Sequence, residues 1–364
     1  MPKLAIYTVD AFSKDSQPFT GNPAAVCLVP PGIHLDDATQ LRIAAEMNLS
    51  ETAFVQPILP NTPQGQHFSA ATAESPTTTA TSSIQSELFR LADHFALRWF
   101  TPTCEVPLCG HATLAASHVL FSEVGSGASV LKFETLSGQL RVTNDPCYDQ
   151  SRLTMVFPLD KPRCLSDVAA AVDRDGDATT TFGDHGHAEV PGAVRMYSRA
   201  WTAKVQEIVD VTLATSSVPL TATSVLYAPN NRYLVVHIDN PHHDPDILQR
   251  LSPISSPTVI TLGHQCNLDL VAVMAALPPG LPGGPDAAVR VFAPWLGVSE
   301  DPITGSACTV YAPYWQSVTG AARATYVQGA SRQGFVETML SPEMEGKVQI
   351  TGCAVTVVVG QIRF

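Results

Sequence analysis

The stretch Ser299-Glu300-Asp301-Pro302-Ile303-Thr304-Gly305-Ser306-Ala307-Cys308-Thr309-Val310-Tyr311 decides the fold of this 364-residue chain. It places an acid, a proline turn and a Thr-Gly-Ser corner before a run of small and apolar residues. This pattern is typical of a loop or strand that enters a buried helix. The first N–H groups of a helix lack internal partners and lie at the positive end of its dipole. The stretch therefore predicts an anion-binding corner.

A second stretch, Val106-Pro107-Leu108-Cys109-Gly110-His111-Ala112-Thr113-Leu114-Ala115-Ala116-Ser117-His118, follows the same pattern. It again has a proline, a glycine corner and then small and apolar residues. Two such helix starts predict two related halves of the chain that face one ligand.

Length and charge exclude several classes of protein. A chain of 364 residues is long enough for about two domains, and its net charge of −12 with only 21 Lys and Arg argues against a nucleic-acid partner. The amino end reaches Asp10 too early for the apolar core of a signal peptide. The run from Cys353 to Val359 is far shorter than the roughly 20 residues of a membrane helix. We therefore expect a cytoplasmic protein with no membrane partner.

Eight cysteines are spread through the chain without a CxxC pair or a matching histidine pair. Because zinc sites use such spacings, we expect no metal and reduced thiols. The chain also lacks a glycine-rich phosphate fingerprint and the context of a Schiff-base lysine, so we expect no cofactor.

Periodicity predicts alternating helices and strands, and two polar interruptions. The apolar face of Asp36 to Met47 predicts a helix, whereas Thr258 to Leu262 is strand-like. The other predicted helices are Ser86 to Ala96, Ala112 to Val124, Asp244 to Leu251 and Ser306 to Val318, of which the last contains Pro313. An interior proline costs about 3 kcal/mol, so that helix should kink or be shorter. Residues 61–95, rich in Ser, Thr and Ala, and the acidic stretch 173–187 predict surface loops.

Six segments, in this order along the chain, carry a resemblance to a known family. They are Val9-Asp10-Ala11-Phe12, Thr20 to Val26, Asn48 to Phe54, Leu97 to Pro102, Glu105 to Ala115, and Arg290 to Pro294 followed by Glu300 to Ala307. With these segments the chain resembles the PhzF-like (phenazine biosynthesis-like) isomerases of the diaminopimelate epimerase fold superfamily.

The resemblance implies an α+β fold. It has two pseudo-symmetric domains, each a curved, barrel-like mixed β-sheet around a central α-helix, with the active site in the interdomain cleft. The N-terminal domain would span residues 1–143, including the insertion at 61–95, and the C-terminal domain 144–352. The final strand, 353–364, would return to the first domain.

For the site, the resemblance implies that Glu51 is the general acid/base. Its apolar neighbours would raise its pKa, whereas from the local sequence alone a capping or solvated glutamate is equally compatible. His111, Asp301 and Ser306 would be its catalytic partners. The predicted substrate-binding residues are Asn22, Gly110, Thr304, Gly305 and Arg332.

The implied function is a cofactor-independent isomerase of secondary metabolism. It would move a proton between carbons of a small metabolite that bears a carboxylate or carbonyl group, and it would be a homodimer as family members often are. One alternative is an epimerase with a second base, Asp301, His111 or Cys109. Cys109 stands where the superfamily's racemases have their first thiol, but no second thiol matches it, which favours a buried structural role. The other alternative is a catalytically silent binding protein.

Overall fold

The chain divides into two compact units. The first comprises Met1–Leu159 and Asp301–Phe364, and the second comprises Asp160–Glu300. The structure is a computed structural model that describes residues 3–58, 80–144, 152–169, 197–278 and 284–364. The predicted acidic loop at 173–187 and most of the insertion at 61–95 lie outside these residues. The domain boundaries predicted at 143 and 352 are a different division of the chain and stay a prediction.

The described residues form seventeen strands. These are β1 Lys3–Ser13, β2 Asn22–Leu28, β3 Glu51–Pro57, β4 His94–Phe100, β5 Glu105–Val106, β6 Val130–Thr135, β7 Gly138–Asn144, β8 Arg152–Pro158, β9 Arg163–Cys164, β10 Ala222–Ala228, β11 Tyr233–Ile238, β12 Leu270–Ala276, β13 Ala287–Ala293, β14 Val298–Asp301, β15 Arg323–Gln328, β16 Gly334–Met339 and β17 Lys347–Arg363.

The α-helices that position the site and the cores are six. They are α1 Asp37–Met47, α2 Ala80–Leu91, α3 Gly110–His118, α4 Arg199–Ala214, α5 Pro257–Cys266 and α6 Cys308–Thr319.

A closed ring of strands forms the centre of the first unit. Its order is β1, β2, β3, β4, β6, β7, β8 and β17, and β17 pairs with β1 to close it. The pairs β2–β3 and β4–β6 are parallel and the others are antiparallel, so the sheet is mixed. Closing a sheet removes its edges and creates an interior that side chains must fill.

Helix α3 lies inside this ring. All nine of its residues are buried, and it packs against β1, β2, β3, β8 and β17. A helix made of glycine, alanine and other small or apolar residues can be surrounded in this way because no face needs water. It continues into a short π-helical segment, Val119–Glu123. Together the two segments cover almost all of the helix predicted for Ala112 to Val124. The predicted α+β class, with a barrel-like mixed sheet around a central helix, is thus confirmed.

Helix α6 runs through its proline. A 3-10 turn, Gly305–Ala307, leads into the helix, and Pro313 lies inside it. The helix packs on β15, β16 and β17, with Tyr311 and Trp315 buried against Tyr326. Burial on both sides of Pro313 offsets the lost backbone hydrogen bond, which is why the helix does not end there.

In the second unit, the strand predicted at Thr258 to Leu262 is wrong, because these residues belong to α5. Pro257 occupies the start of this helix and Asn267, in the left-handed conformation, ends it. Its buried residues are Val259, Gly263 and Cys266, which is helical spacing. The side chain of Trp295 fills the space where a Cβ on Gly263 would lie. Packing therefore overrides the β-branched composition.

Two further elements of the second unit differ from the sequence prediction. The helix predicted from Asp244 to Leu251 is only a 3-10 turn, Ile247–Arg250. Helix α4 was not predicted, although Ser198 caps it by accepting a hydrogen bond from the backbone N–H of Trp201.

In the first unit, α1 begins one residue after the predicted start and ends at the predicted Met47, whereas α2 ends at Leu91 and the predicted Ala96 lies in β4. Among the described residues, no helix is long and apolar enough to cross a bilayer.

Candidate active site

The candidate site lies at the ends of elements of the first unit. Asn22 begins β2 and Glu51 begins β3, and because these strands are parallel, both residues lie at the same edge of the sheet. His111 lies in the first turn of α3, and Asp301 ends β14. Side chains at element ends can converge while the strands and helices hold their backbones rigid.

Glu51 and His111 are in close contact. Glu51 Oε2 lies 3.2 Å from His111 Nε2, and their side chains are 17% and 3% exposed. This oxygen is buried and has no hydrogen-bond partner, and Ser50 Oγ also lies 3.2 Å from Nε2. A buried carboxylate oxygen without a donor favours the protonated acid.

Burial raises the pKa of Glu51 from 4.5 to about 8, with a second contribution from the negative charge of Asp301. A hydrogen bond from Ser50 acts in the opposite direction and lowers it. A carboxyl group whose pKa lies near neutral pH can both take and return a proton under ordinary conditions.

Cys109 contacts the ring nitrogen of His111 that faces away from Glu51, Nδ1. Cys109 Sγ lies 3.4 Å from His111 Nδ1. Burial raises the pKa of the Cys109 thiol well above 9.0 and lowers the pKa of His111 to about 3. At neutral pH the thiol therefore keeps its proton and the imidazole is neutral. Both residues are buried, as the structural role predicted for Cys109 requires.

Asp301 is held by hydrogen-bond donors. Asn22 Nδ2 donates to its Oδ1 at 2.6 Å, and the Thr304 hydroxyl donates to its Oδ2 at 2.5 Å. Gln328 Nε2 lies 3.3 Å from both the Asp301 carbonyl oxygen and Thr304 Oγ1. Hydrogen bonds to a carboxylate stabilise its charged form. The two carboxyl groups thus differ in environment: both oxygens of Asp301 accept hydrogen bonds, whereas Oε2 of Glu51 accepts none.

The two predicted glycine corners meet each other. A Cβ on Gly110 would lie 2.8 Å from Gly305 Cα, and one on Gly305 would lie 3.1 Å from Gly110 Cα. Both positions therefore need glycine for close approach rather than for unusual backbone angles. Ser306 follows directly and is buried, so the starts of the two helical segments lie side by side.

The hydrogen bonds of the Arg332 side chain involve other residues than those of this cluster. Its guanidinium donates to Asp10 Oδ1 at 2.7 Å and to the carbonyl oxygens of Thr20 and Gly21. Asp10 is 2% exposed, and its second oxygen accepts a hydrogen bond from the backbone N–H of Phe19. Arg332 thus ties the turn before Asn22 to the loop between β15 and β16. Its predicted contact with substrate stays a prediction.

Ser50 and Gln328 are absent from the predicted site residues, yet each has two partners in the cluster. Ser50 immediately precedes the predicted base, which was the only sequence signal for it. Neighbouring strand residues normally face opposite sides of a sheet. Ser50 lies just before β3 begins, so this rule does not require its side chain to face away from that of Glu51.

One group of potential metal ligands occurs among the described residues: single donor atoms of Glu51, Cys109 and His111 lie within 4.8 Å of one another. The sulfur approaches Nδ1, whereas the carboxylate approaches Nε2. Because one nitrogen of an imidazole binds a given ion, a metal here would use only one of these two imidazole contacts. The arrangement is a hydrogen-bonded row through the imidazole ring.

Comparisons with known proteins agree with this fold and these segments. The family profile described as phenazine biosynthesis-like protein matches residues 9–201 and 244–360. The chain belongs to this family. Both glycine corners and the segments that contain Asn22 and Glu51 lie inside the matched ranges.

Relatives and solved structures match along the whole chain. A mouse protein named phenazine biosynthesis-like domain-containing protein 2 is 30% identical over 360 residues, which is 99% of each chain. An uncharacterized isomerase of Pseudomonas aeruginosa is 31% identical over 363 residues, again 99% of each. The crystal structure of a PhzF family protein from Enterococcus faecalis superposes with a TM-score of 0.64 over all of both chains, at 24% identity. That structure supports the fold alone.

Proposed function

We propose that this protein is an isomerase that moves a proton between carbons of a small molecule bearing a carboxylate or carbonyl group. Membership of the phenazine biosynthesis-like family and a full-length relative named an isomerase support an isomerase or epimerase. The observation that carries the finer proposal is Glu51, a carboxyl group with one fully buried oxygen and a pKa of about 8. Such a group can carry one proton from carbon to carbon at neutral pH without a cofactor.

In the proposed reaction, the Glu51 carboxylate removes a proton from a carbon next to the carbonyl or acid group. The electron pair of the broken C–H bond moves into an enolate that extends over a neighbouring C=C bond of the substrate. Protonated Glu51 then returns the proton to the far carbon of that C=C bond, whose electrons form the new C–H bond while the double bond shifts by one position. With a pKa of about 8, about a tenth of Glu51 is ionised at pH 7, which allows the first step while keeping the acid strong enough for the second.

The neighbouring groups have complementary roles in this proposal. The first N–H groups of the helical segments at Gly110 and Gly305 would hold the acid or enolate oxygen, and the Ser306 hydroxyl would donate to it. Asp301, which accepts hydrogen bonds from Asn22 and Thr304, would remain ionised. Its charge keeps the proton on Glu51 between the two transfers.

Solvent exchange tests the proposal. The protein is incubated in D2O with a panel of small amino, hydroxy and unsaturated carboxylic acids, and deuterium entering carbon positions is followed by NMR and mass spectrometry. We expect deuterium in a compound that the protein isomerises. Glu51→Gln should reduce this incorporation by at least about a hundredfold, since acid/base groups contribute factors of 10² to 10⁴. Glu46→Gln, which changes an exposed glutamate of α1, is the matched control.

Unchanged incorporation in Glu51→Gln would contradict the assigned base. The chirality of the product separates the epimerase alternative, which needs a second base among Asp301, His111 and Cys109. Inversion at one carbon, lost in Cys109→Ser, would favour that alternative. Binding without any deuterium incorporation across the panel would favour a catalytically silent protein.

We also propose that the protein acts in secondary metabolism as a cytoplasmic homodimer with no nucleic-acid partner. Family resemblance supports the dimer and the metabolic role, and net charge of −12 supports the absence of nucleic acid. Analytical ultracentrifugation of the purified chain tests the dimer. Sedimentation at the mass of one chain at micromolar concentration would contradict it.

A further inference from the structure

The side-chain amide of Asn22 has a fixed orientation. Its Nδ2 lies 2.6 Å from Asp301 Oδ1 and 2.9 Å from the carbonyl oxygen of Ile303. The carbonyl can only accept, and an ionised carboxylate likewise, so these contacts use both amide protons. The amide oxygen therefore faces away from Asp301 as an acceptor.

This orientation determines where the proton of Ser50 goes. Ser50 Oγ lies 3.3 Å from Asn22 Oδ1 and donates to it. The Glu51 carboxylate is a second acceptor for the same hydroxyl. Whichever of the two takes the single hydroxyl proton, only lone pairs of Ser50 Oγ remain for His111 Nε2, 3.2 Å away. The hydrogen between these atoms therefore belongs to Nε2.

The other ring nitrogen agrees with this assignment. His111 is neutral because burial lowers its pKa to about 3, so with a proton on Nε2, Nδ1 carries a lone pair. The nearest partner of Nδ1 is Cys109 Sγ at 3.4 Å, whose thiol keeps its proton and can donate it. Each residue then donates a hydrogen bond to the next in the series Cys109, His111, Ser50, Asn22 and Asp301.

We propose that Asn22 and Ser50 are positioning residues that hold His111 in its Nε2–H tautomer, so that it cannot accept the proton of Glu51. The inference rests on the proposed role of Glu51 as the acid/base. In the opposite tautomer, an Nε2 lone pair would lie 3.2 Å from Glu51 Oε2 and would accept a hydrogen bond from the protonated acid. That bond would hold on Glu51 the proton that substrate needs. The Nε2–H tautomer leaves substrate as the acceptor.

Nitrogen NMR of ¹⁵N-histidine-labelled protein tests the tautomer without any substrate. The His111 signals are assigned by their loss in His111→Gln. At pH 7 we expect the wild type to show a protonated Nε2 and an unprotonated Nδ1. Ser50→Ala should shift the signals toward the other tautomer, and Ser50→Thr, which keeps the hydroxyl, should restore them. Ser117→Ala is the matched control, because Ser117 is a buried serine of α3 that donates to the Thr113 carbonyl oxygen.

The pH dependence of turnover provides a second measurement, with the compound that shows deuterium incorporation. In Ser50→Ala, Glu51 loses the hydrogen bond from Ser50 that lowers its pKa and, when protonated, gains Nε2 as an acceptor. Both changes raise the pKa of Glu51. The pH at which kcat/KM rises as Glu51 becomes ionised should therefore be higher in Ser50→Ala than in the wild type. We expect kcat to fall about tenfold, the size of one lost hydrogen bond to a charged group, with KM changing less. A general loss of structure would not move the pH profile in this direction.

A protonated Nδ1 in the wild type, or an unchanged His111 spectrum in Ser50→Ala, would overturn the inference. Because the spectrum does not depend on turnover, these outcomes differ from a failure of the proposed function. If Glu51→Gln keeps full deuterium incorporation while the Nε2–H tautomer is observed, the proposed base is wrong and the hydrogen-bond assignment stands.

Discussion

Protonation of Glu51 should make the stability of this protein depend on pH. Burial, and then the charge of Asp301, raise its pKa from 4.5 to about 8, a rise of about 3.5. At about 1.36 kcal/mol per unit, ionising Glu51 in the folded state costs up to about 5 kcal/mol. The folded state binds this proton more tightly than the unfolded state does. The corresponding stability is fully present below about pH 4.5 and is lost as pH rises through about 8.

Glu51→Gln removes the ionisable group and tests this directly. The free energy of unfolding is measured with urea from about pH 5 to about pH 8.5 for the wild type and the variant. The wild type should lose about 4 kcal/mol of stability relative to Glu51→Gln over this range, because part of the total of about 5 kcal/mol is already lost at pH 5 and part remains at pH 8.5. Glu46→Gln, at an exposed position, should leave the pH dependence of the wild type unchanged. Parallel curves for wild type and Glu51→Gln would refute the argument that burial keeps this acid protonated.

The remaining predictions concern contacts that hold the site. Gly110→Ala should lower the free energy of unfolding by about 1–3 kcal/mol, because its Cβ would lie 2.8 Å from the Cα of Gly305. Gly127→Ala, where no atom lies within 4 Å, is the control in the same urea experiment, and equal stability of both variants would contradict the close approach. Arg332→Ala should cost about 2–3 kcal/mol at neutral pH, since it leaves buried Asp10 without its cation and Arg332 is itself 30% exposed. This loss should shrink at acidic pH as Asp10 becomes protonated, and a loss that stays constant with pH would show that the ion pair is not its source.

Local patterns predicted the elements that carry their own start and stop signals. Helix α1 begins after Asp36, whose side chain accepts from the backbone N–H of Thr39, and ends at Asn48 in the left-handed conformation. The helical segments at Gly110 and Gly305 begin within a few residues of where the sequence predicts. Caps and glycine corners act within one helical turn, so the sequence can encode them locally.

Where packing outweighed local preference, sequence prediction was wrong. Residues Thr258 to Leu262 have the composition of a strand but form the helix α5, whose buried residues follow helical spacing. The predicted helix that contains Pro313 does form, as α6, and residues on both sides of this proline are buried. Intrinsic preferences amount to about 1 kcal/mol per residue or less, so burial of a few side chains overrides them.

The candidate site divides in the same way between sequence and structure. The sequence alone determined which segments contain Asn22, Glu51, His111 and Asp301, because their order and motifs are local and match a family. Only the tertiary structure decided how these groups are protonated. Asn22 and Asp301 are 279 residues apart in the chain yet share a hydrogen bond, and Glu51 is an acid at neutral pH only because distant segments bury it. A pKa depends on all the groups around a side chain, and folding alone brings those groups together.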